Sequence, residues 1–207
     1  YRGIGKKGQS LLGKATVAII GIGALGSTSA ELLARAGIGK LILIDRDFVE
    51  ESNLQRQHLF DESDIGQPKA LKAKDHLLKI NSTLTVHSHI DDLNFRTIDT
   101  LLKDADIIVD GTDNLETRHL INEYSMKHHV PWVYGSAISD KGFVGVFLGK
   151  QPCFRCFSAT HPTQETCDTV GVLNSITTLI GSLQAQATID LLLGKTTTPI
   201  IHINLHN

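Results

Sequence analysis

Apolar residues fall along the chain in short runs divided by polar, glycine-marked breaks. Val17 to Ile20 is a β-branched apolar run, Ala24 to Ala36 has helical spacing closed by Gly37, and "KLILID" from Lys40 to Asp45 is a second apolar run. Runs this short, bounded by turn signals, read as strands buried on both faces. The three pieces make a βαβ unit of about 30 residues, the length a right-handed crossover needs, so a parallel sheet is predicted. After a polar segment from Arg46 to Gln67, a helix is predicted over Pro68 to Leu78, with Pro68 suited to a first helical turn. "TLTVHSHI", Thr83 to Ile90, alternates like a third strand.

"TIDTLLKDA" predicts another helix before "DIIVDGTDN", where Ile107 to Val109 is a buried strand ending in two acids and a glycine turn. Leu115 to His128 is the next helix. "PWVYGSAI" and "GFVGVFLG", joined by the polar turn "SDKG", predict an antiparallel pair. A "CFRC" loop and a polar stretch, Ser158 to Thr169, lead into a long, mostly apolar helix from Ser175 to Leu193, stopped by Gly194 and Lys195. Its small residues Gly181, Ser182, Ala185 and Ala187 suit close packing; a core helix is expected, and a share in a subunit interface is compatible with that. "TPIIHINLHN" reads as one more strand. The expected fold class is α/β: a Rossmann-like, mixed, mostly parallel sheet with helices on both faces and antiparallel strands toward the C terminus. Residues 1–207 are expected to form a single domain with a cysteine-containing loop insertion at about 150–170.

With 207 residues, 41% of them hydrophobic, the chain can bury a sizeable core. A formal charge of −2 supplies no electrostatic drive toward nucleic acid, so nucleic acid is not an expected partner. No apolar run approaches the roughly 18 to 20 residues of a membrane span, and "YRGIGKKGQS" has no signal-peptide pattern. No membrane partner is expected, and the expected location is cytoplasmic. Cys153, Cys156 and Cys167 are too few and too odd a set for a secreted disulfide framework.

Gly21, Gly23 and Gly26 form G-x-G-x-x-G directly after a strand and at a helix start. The first allows a tight turn, the second lets a phosphate approach the backbone, and the third lets helix and strand pack closely, while the helix N terminus offers free N–H donors. Asp45, 19 residues beyond Gly26, ends the next strand, where a carboxylate can accept from ribose hydroxyls. A purely structural glycine turn is the alternative. A dinucleotide carries only a bridging pyrophosphate, whereas the segment after Asp45 brings Asn53, Arg56, Gln57 and Lys69. A guanidinium forks two phosphate oxygens and a lysine adds a point charge, which suits a triphosphate and its departing pyrophosphate. Taken singly, each of these charges reads as a solvated surface residue. In "DGTDN", Asp110, Asp113 and Asn114 sit at a strand's carboxyl end, where ligands bind in open α/β sheets; Asp113 is the candidate acid for Mg²⁺. Capping of the following helix by Asp110 and Asp113 is the competing reading.

"GQSLLGKATVAIIGIGALGS", "LIDRDFVEESNLQRQ", "DIGQPKA", "DIIVDGTDN" and "CFRCF", in this order, resemble the ThiF/MoeB/HesA family, relatives of ubiquitin-activating enzymes. The resemblance runs from about Gly8 to about Leu193. It implies ATP-dependent adenylation of the C-terminal glycine carboxylate of a ubiquitin-like sulfur-carrier protein ending in Gly-Gly, of the thiamine or molybdopterin type. It implies that Gly21, Gly23, Gly26 and Asp45 hold the nucleotide, that Asn53, Arg56, Gln57 and Lys69 engage phosphates, and that Asp113 acts with Mg²⁺. It also implies a homodimer and an N-terminal arginine that reaches the partner's site; Arg2 does not align with it. The chain is expected to be truncated at both ends relative to the family.

Cys153-Phe-Arg-Cys156 is half of a tetrahedral thiolate site, and a closed structural Zn²⁺ site wants four ligands. The resemblance implies a second C-x-x-C nearer the C terminus. A redox pair and inert thiols remain open, and His161 is a makeshift ligand we do not favour. Cys167 stands where some members of the family use a cysteine for thioester or persulfide transfer, with a sulfur-donor protein as a further partner; the other reading is a loop thiol without a role. Three alternatives to the main function remain: a hydride-transferring NAD enzyme without an evident catalytic dyad, adenylation of another acceptor such as a tRNA base or a peptide, and a non-catalytic binding subunit.

Overall fold

The computed structural model describes residues 3–160 and 171–206. A first helix, α1 (Gly5–Leu12), leads into β1 (Thr16–Ile20), α2 (Ala24–Ala36) and β2 (Lys40–Ile44). Two short 3-10 turns, Glu51–Asn53 and Glu62–Asp64, precede α3 (Lys69–Ile80), β3 (Thr85–His89), α4 (Ile98–Leu101), β4 (Ile107–Asp110) and α5 (Leu115–His128). The antiparallel strands β5 (Trp132–Ile138) and β6 (Lys141–Phe147) follow, then α6 (Phe154–Thr160), a long α7 (Asn174–Leu192) and β7 (Ile200–Asn204). No described helix is long and apolar enough to cross a membrane.

The strands join one seven-stranded sheet in the order β3-β2-β1-β4-β5-β6-β7. β1 to β5 run parallel; β5–β6 and β6–β7 are antiparallel, as the sequence predicts. Strand alternation divides the core into two layers. Val17, Ile19, Leu41 and Leu43 face α1, α2, α3 and α7, whereas Ala18, Ile20, Ile42 and Ile44 face α4 and α5 on the other side. The register sets the carboxyl ends level, Ile20 lying opposite both Ile44 and Asp110. The chain leaves β1 toward β2 on one side and later returns as β4 on the other, so a crevice opens beyond their ends, the place where such sheets bind ligands.

The close packing expected of the long helix is present. A Cβ on Gly181 would stand 2.7 Å from Thr28, and Ser29 Oγ donates to the Gly181 carbonyl at 3.0 Å. α2 ends as predicted at Gly37, in the left-handed region at φ 86°. Several expectations need correcting. α1 was not anticipated, because eight residues of which five are glycine, lysine or serine carry too weak an apolar stripe to read alone. The helix expected over "TIDTLLKDA" shrinks to Ile98–Leu101. Pro68 stands outside α3 as its N-cap, with an extended ψ of 127°. The "CFRC" loop is not a loop: Cys156 lies inside α6, because Phe154 and Phe157, one helical turn apart, both pack into an aromatic cluster with Tyr134 and Phe147. The rest of the expected insertion, with His161 and Cys167, lies outside the described residues, as does Arg2.

Candidate functional site

The site is built where β1 ends. Gly21 turns the chain with φ 81°, a conformation that a side chain disfavours. A Cβ on Gly21 would meet the Gly111 backbone at 2.8 Å, and one on Gly26 would overlap the Gly21 carbonyl oxygen. These two glycines let the turn, the start of α2 and the end of β4 touch. Gly23 differs: the nearest atom to its absent Cβ is Gln57 Nε2, at 3.9 Å. Gly23 is also the N-cap of α2, and no side chain caps it. The helix therefore presents its N–H groups and positive dipole end to open space.

Around this cradle stand groups with unspent hydrogen-bonding capacity. Gln57 is 4% exposed, and its Oε1 is buried without a partner among the described residues. Lys69, the first residue of α3, is 8% exposed at its side chain and holds its ammonium 3.5 Å from Asp47 Oδ2, near Asp45. Arg56 is half-buried and donates to the Ser52 carbonyl at 3.1 Å, with no carboxylate partner among the described residues. Asn53 is buried, and its side chain accepts from the Glu50 amide at 3.4 Å, shaping the 3-10 turn that carries Arg56 and Gln57 past the cradle.

Asp45 has a task that spacing does not reveal. Its Oδ2 accepts from the Ile22 amide at 2.5 Å and its Oδ1 from the Asp47 amide at 2.7 Å, so it braces the glycine turn against the end of β2. Burial pushes its carboxyl above the ordinary range, opposed by those two amides and by Lys69. Each oxygen keeps a second lone pair for a ribose hydroxyl.

Beyond β4 the acids divide their work differently from expectation. Asp110 is fully buried and paired with Arg118, Nε to Oδ2 at 3.1 Å, so its carboxylate is not open to a ligand and does not cap α5. Asn114 is the N-cap, its Oδ1 accepting from the Thr117 amide at 2.9 Å. Asp113 is exposed and makes no hydrogen bond with a described residue, so it is the acid left free at the sheet edge. Sequence reasoning missed Arg118 and Gln184. Gln184 is fully buried on α7 and donates to the Asp110 and Val133 carbonyls at 2.7 and 3.3 Å. A charged or amide residue on an otherwise apolar helix face is the only signal that marks such positions.

Cys153 and Cys156 lie elsewhere. The chain leaves β6 at Phe147, opposite the first residue of β5, hence at the amino edge of the parallel strands. The Phe154 amide there donates to Asn122 Oδ1 of α5 at 2.9 Å. Burial raises the Cys153 thiol, but the amides of Arg155 and Cys156 and the Asn122 side chain hold it below its ordinary value. Among the described residues no third histidine, cysteine or carboxylate joins the pair, so these residues alone do not close a tetrahedral site. A cleft of about 390 Å³ between α1, α7 and the amino edge, lined by Leu11, Lys14, Pro131 and Leu192, contains none of the candidate residues.

An uncapped glycine-turn helix, a braced acid on the next strand and converging cationic and amide groups define a nucleotide-binding α/β protein. The chain belongs to the ThiF family, whose model matches residues 1–207. It is 40% identical over 202 residues to the sulfur carrier protein ThiS adenylyltransferase of Bacillus subtilis, covering 96% of this chain and 60% of that protein. It is 38% identical to the molybdopterin-synthase adenylyltransferase of Salmonella typhimurium, covering 92% of this chain and 78% of that protein. The crystal structure of E. coli MccB with ATP superposes with a TM-score of 0.83 at 28% identity, covering 96% of this chain and 63% of that one. The chain thus spans about 60% of the length of the Bacillus subtilis relative.

Proposed function

We propose that this chain carries ATP-dependent adenylation of the C-terminal glycine carboxylate of a ubiquitin-like sulfur-carrier protein. The observation that carries the reading is the uncapped α2 N terminus at Gly23, left open beneath Gln57, whose Oε1 has no partner among the described residues, with Lys69 held nearby at Asp45 and Asp47. A buried amide oxygen and a helix dipole without partners cost free energy unless a ligand satisfies them. In the reaction a carrier carboxylate oxygen bonds to the α-phosphorus as the bond from that phosphorus to the bridging oxygen breaks, giving carrier-CO-AMP and pyrophosphate. The carboxylate is already ionised and needs no base; it needs alignment and a sink for charge on the leaving group. The α2 amides hold the phosphate chain, Arg56 and Lys69 meet the charge moving onto pyrophosphate, and Asp45 keeps the turn in place and receives the ribose. Asn53 and Gln57 complete the polar wall. Mg²⁺, when bound, supplies Lewis-acid neutralisation of phosphate charge, and Asp113 is the free acid that would hold it.

The greater identity to the Bacillus subtilis and Salmonella typhimurium adenylyltransferases than to MccB supports a sulfur carrier over another acceptor. Cys153 and Cys156 are read as two thiolates of a structural zinc site whose other ligands come from outside the described residues. Cys167 is read as the thiol that would receive the activated acyl group or sulfur. A homodimer is the proposed assembly. Carrier-dependent exchange of pyrophosphate into ATP tests the main reading. Exchange that appears only with a matched Gly-Gly carrier supports it; hydride transfer with NAD and no exchange overturns it.

A further inference from the structure

Residues 110–114 are held at nearly every position. The Asp110 carbonyl accepts from Gln184 and its carboxylate from Arg118. The Gly111 amide donates to the Ile20 carbonyl at 2.7 Å, and a Cβ on Gly111 would collide with the Gly21 carbonyl oxygen. Thr112 donates to Asp110 Oδ1 through its amide at 2.9 Å and its hydroxyl at 2.6 Å. Asn114 Oδ1 caps α5. Asp113 alone in the turn has a side chain without a partner among the described residues.

Arg118 ties this turn to the sheet. Only 8% of it is exposed, and its guanidinium reaches three acceptors: Asp110 Oδ2 at 3.1 Å, the Thr112 carbonyl at 2.6 Å and the Gly135 carbonyl at 3.2 Å. Its Cζ also lies 5.0 Å from the centre of the Tyr134 ring. Two of the acceptors are on the turn and one is on β5, so a single planar fork fixes the turn relative to the neighbouring strand. A lysine there retains the charge opposite Asp110 but cannot span all three acceptors. A helix residue that served only to neutralise Asp110 would not need the carbonyl contacts.

We propose that Arg118 is a positioning residue: it sets the stance of the 110–114 turn, and through it the placement of the Asp113 carboxylate toward the phosphates of bound nucleotide. This rests on the reading above that Asp113 works with Mg²⁺.

The test measures ATP affinity by calorimetry with and without Mg²⁺ for the unaltered protein, Arg118→Lys, Asp113→Asn and the double variant. Arg118→Lys is expected to lower the Mg²⁺-dependent gain in affinity by about tenfold while Mg²⁺-free affinity changes less than about threefold. Adding it to Asp113→Asn is expected to lower the gain no further, since the two act in series. If Arg118→Lys does not fold, Thr112→Val removes the hydroxyl bond to Asp110 and is expected to lower the same gain about threefold. An unchanged gain in the Arg118 or Thr112 variant, an equal loss with and without Mg²⁺, or additive effects in the double variant overturns the proposal. If Asp113→Asn alone keeps the full gain, the Mg²⁺ role of Asp113 falls and this proposal falls with it. If Asp113→Asn loses the gain and Arg118→Lys does not, only this proposal falls.

Discussion

The Gly21 carbonyl oxygen occupies the place that a Cβ on Gly26 would take, so the first and third glycines of the turn are one packing unit. Gly23, between them, has open space instead, with φ −82° and Gln57 Nε2 as the nearest neighbour at 3.9 Å. The glycines should therefore fail in different ways. Gly26→Ala forces backbone apart and is expected to destabilise the fold by about 1 to 3 kcal/mol. Gly23→Ala is expected to leave stability within about 0.5 kcal/mol and to weaken ATP binding about tenfold or more. Thermal melts and nucleotide titration of the two variants, side by side, check this; equal loss of stability would contradict it.

Lys69 and Arg56 differ in what they do without nucleotide. Lys69 is buried at the head of α3 beside Asp45 and Asp47, whereas Arg56 makes one hydrogen bond to a backbone carbonyl. Both are assigned to the leaving pyrophosphate. Removing either charge, as Lys69→Met or Arg56→Ala, is expected to slow carrier-dependent exchange about 10² to 10³-fold. Arg56→Ala should leave the melting temperature nearly unchanged, and Lys69→Met should leave Asp45 without its neighbouring cation. A variant retaining exchange within about threefold would remove that residue from the mechanism.

The sheet was legible because its strands are short apolar runs bounded by glycine and polar turns, and the positions of Gly21, Gly26 and Gly37 follow from local backbone demands. What the sequence did not disclose were relations across the fold. Asp45 braces the Ile22 amide 23 residues before it, and Asp110 is consumed by Arg118; neither pairing has a spacing rule. The helix at Phe154–Thr160 was hidden because it is fixed by aromatic contacts with β5 and β6. A two-cysteine spacing of C-x-x-C reads the same in a loop or at a helix start.

The aromatic contacts bear on the cysteine pair. Phe154 and Phe157 anchor α6 to Trp132, Tyr134, Phe143 and Phe147. In a chain that also carries a second C-x-x-C, one zinc per protomer is expected by elemental analysis, and Cys156→Ser should abolish it. Because Cys156 is exposed and Cys153 is buried, Cys153→Ser is expected to lower the melting temperature more than Cys156→Ser does. Full zinc content in Cys156→Ser would remove the pair from any metal site.

Asp64 offers a pH-dependent test of how α3 is held in place. It is 1% exposed and accepts from the Asp61 amide at 3.1 Å, while His76 Nε2 lies 2.7 Å from its Oδ2 and Lys72 Nζ 3.1 Å from its Oδ1. Burial pushes its carboxyl up, but the Asp61 amide, His76 and Lys72 together outweigh this and hold it below the ordinary value of 3.8. A carboxyl lowered by folding stabilises the folded state fully at pH above its unfolded value, and that contribution is lost as pH falls through the folded value. Asp64→Asn is therefore expected to cost about 1 to 3 kcal/mol at pH 7, or a melting shift of about 2 to 10 °C. The gap between the two proteins should narrow below pH 3.8 as the native carboxylate takes up its proton. Because Asp64 ties the 3-10 turn to the helix that begins at Lys69, the same variant should also raise the KM for ATP. A melting gap that stays constant from neutral pH to well below pH 3.8 would show that Asp64 acts by shape and not by charge.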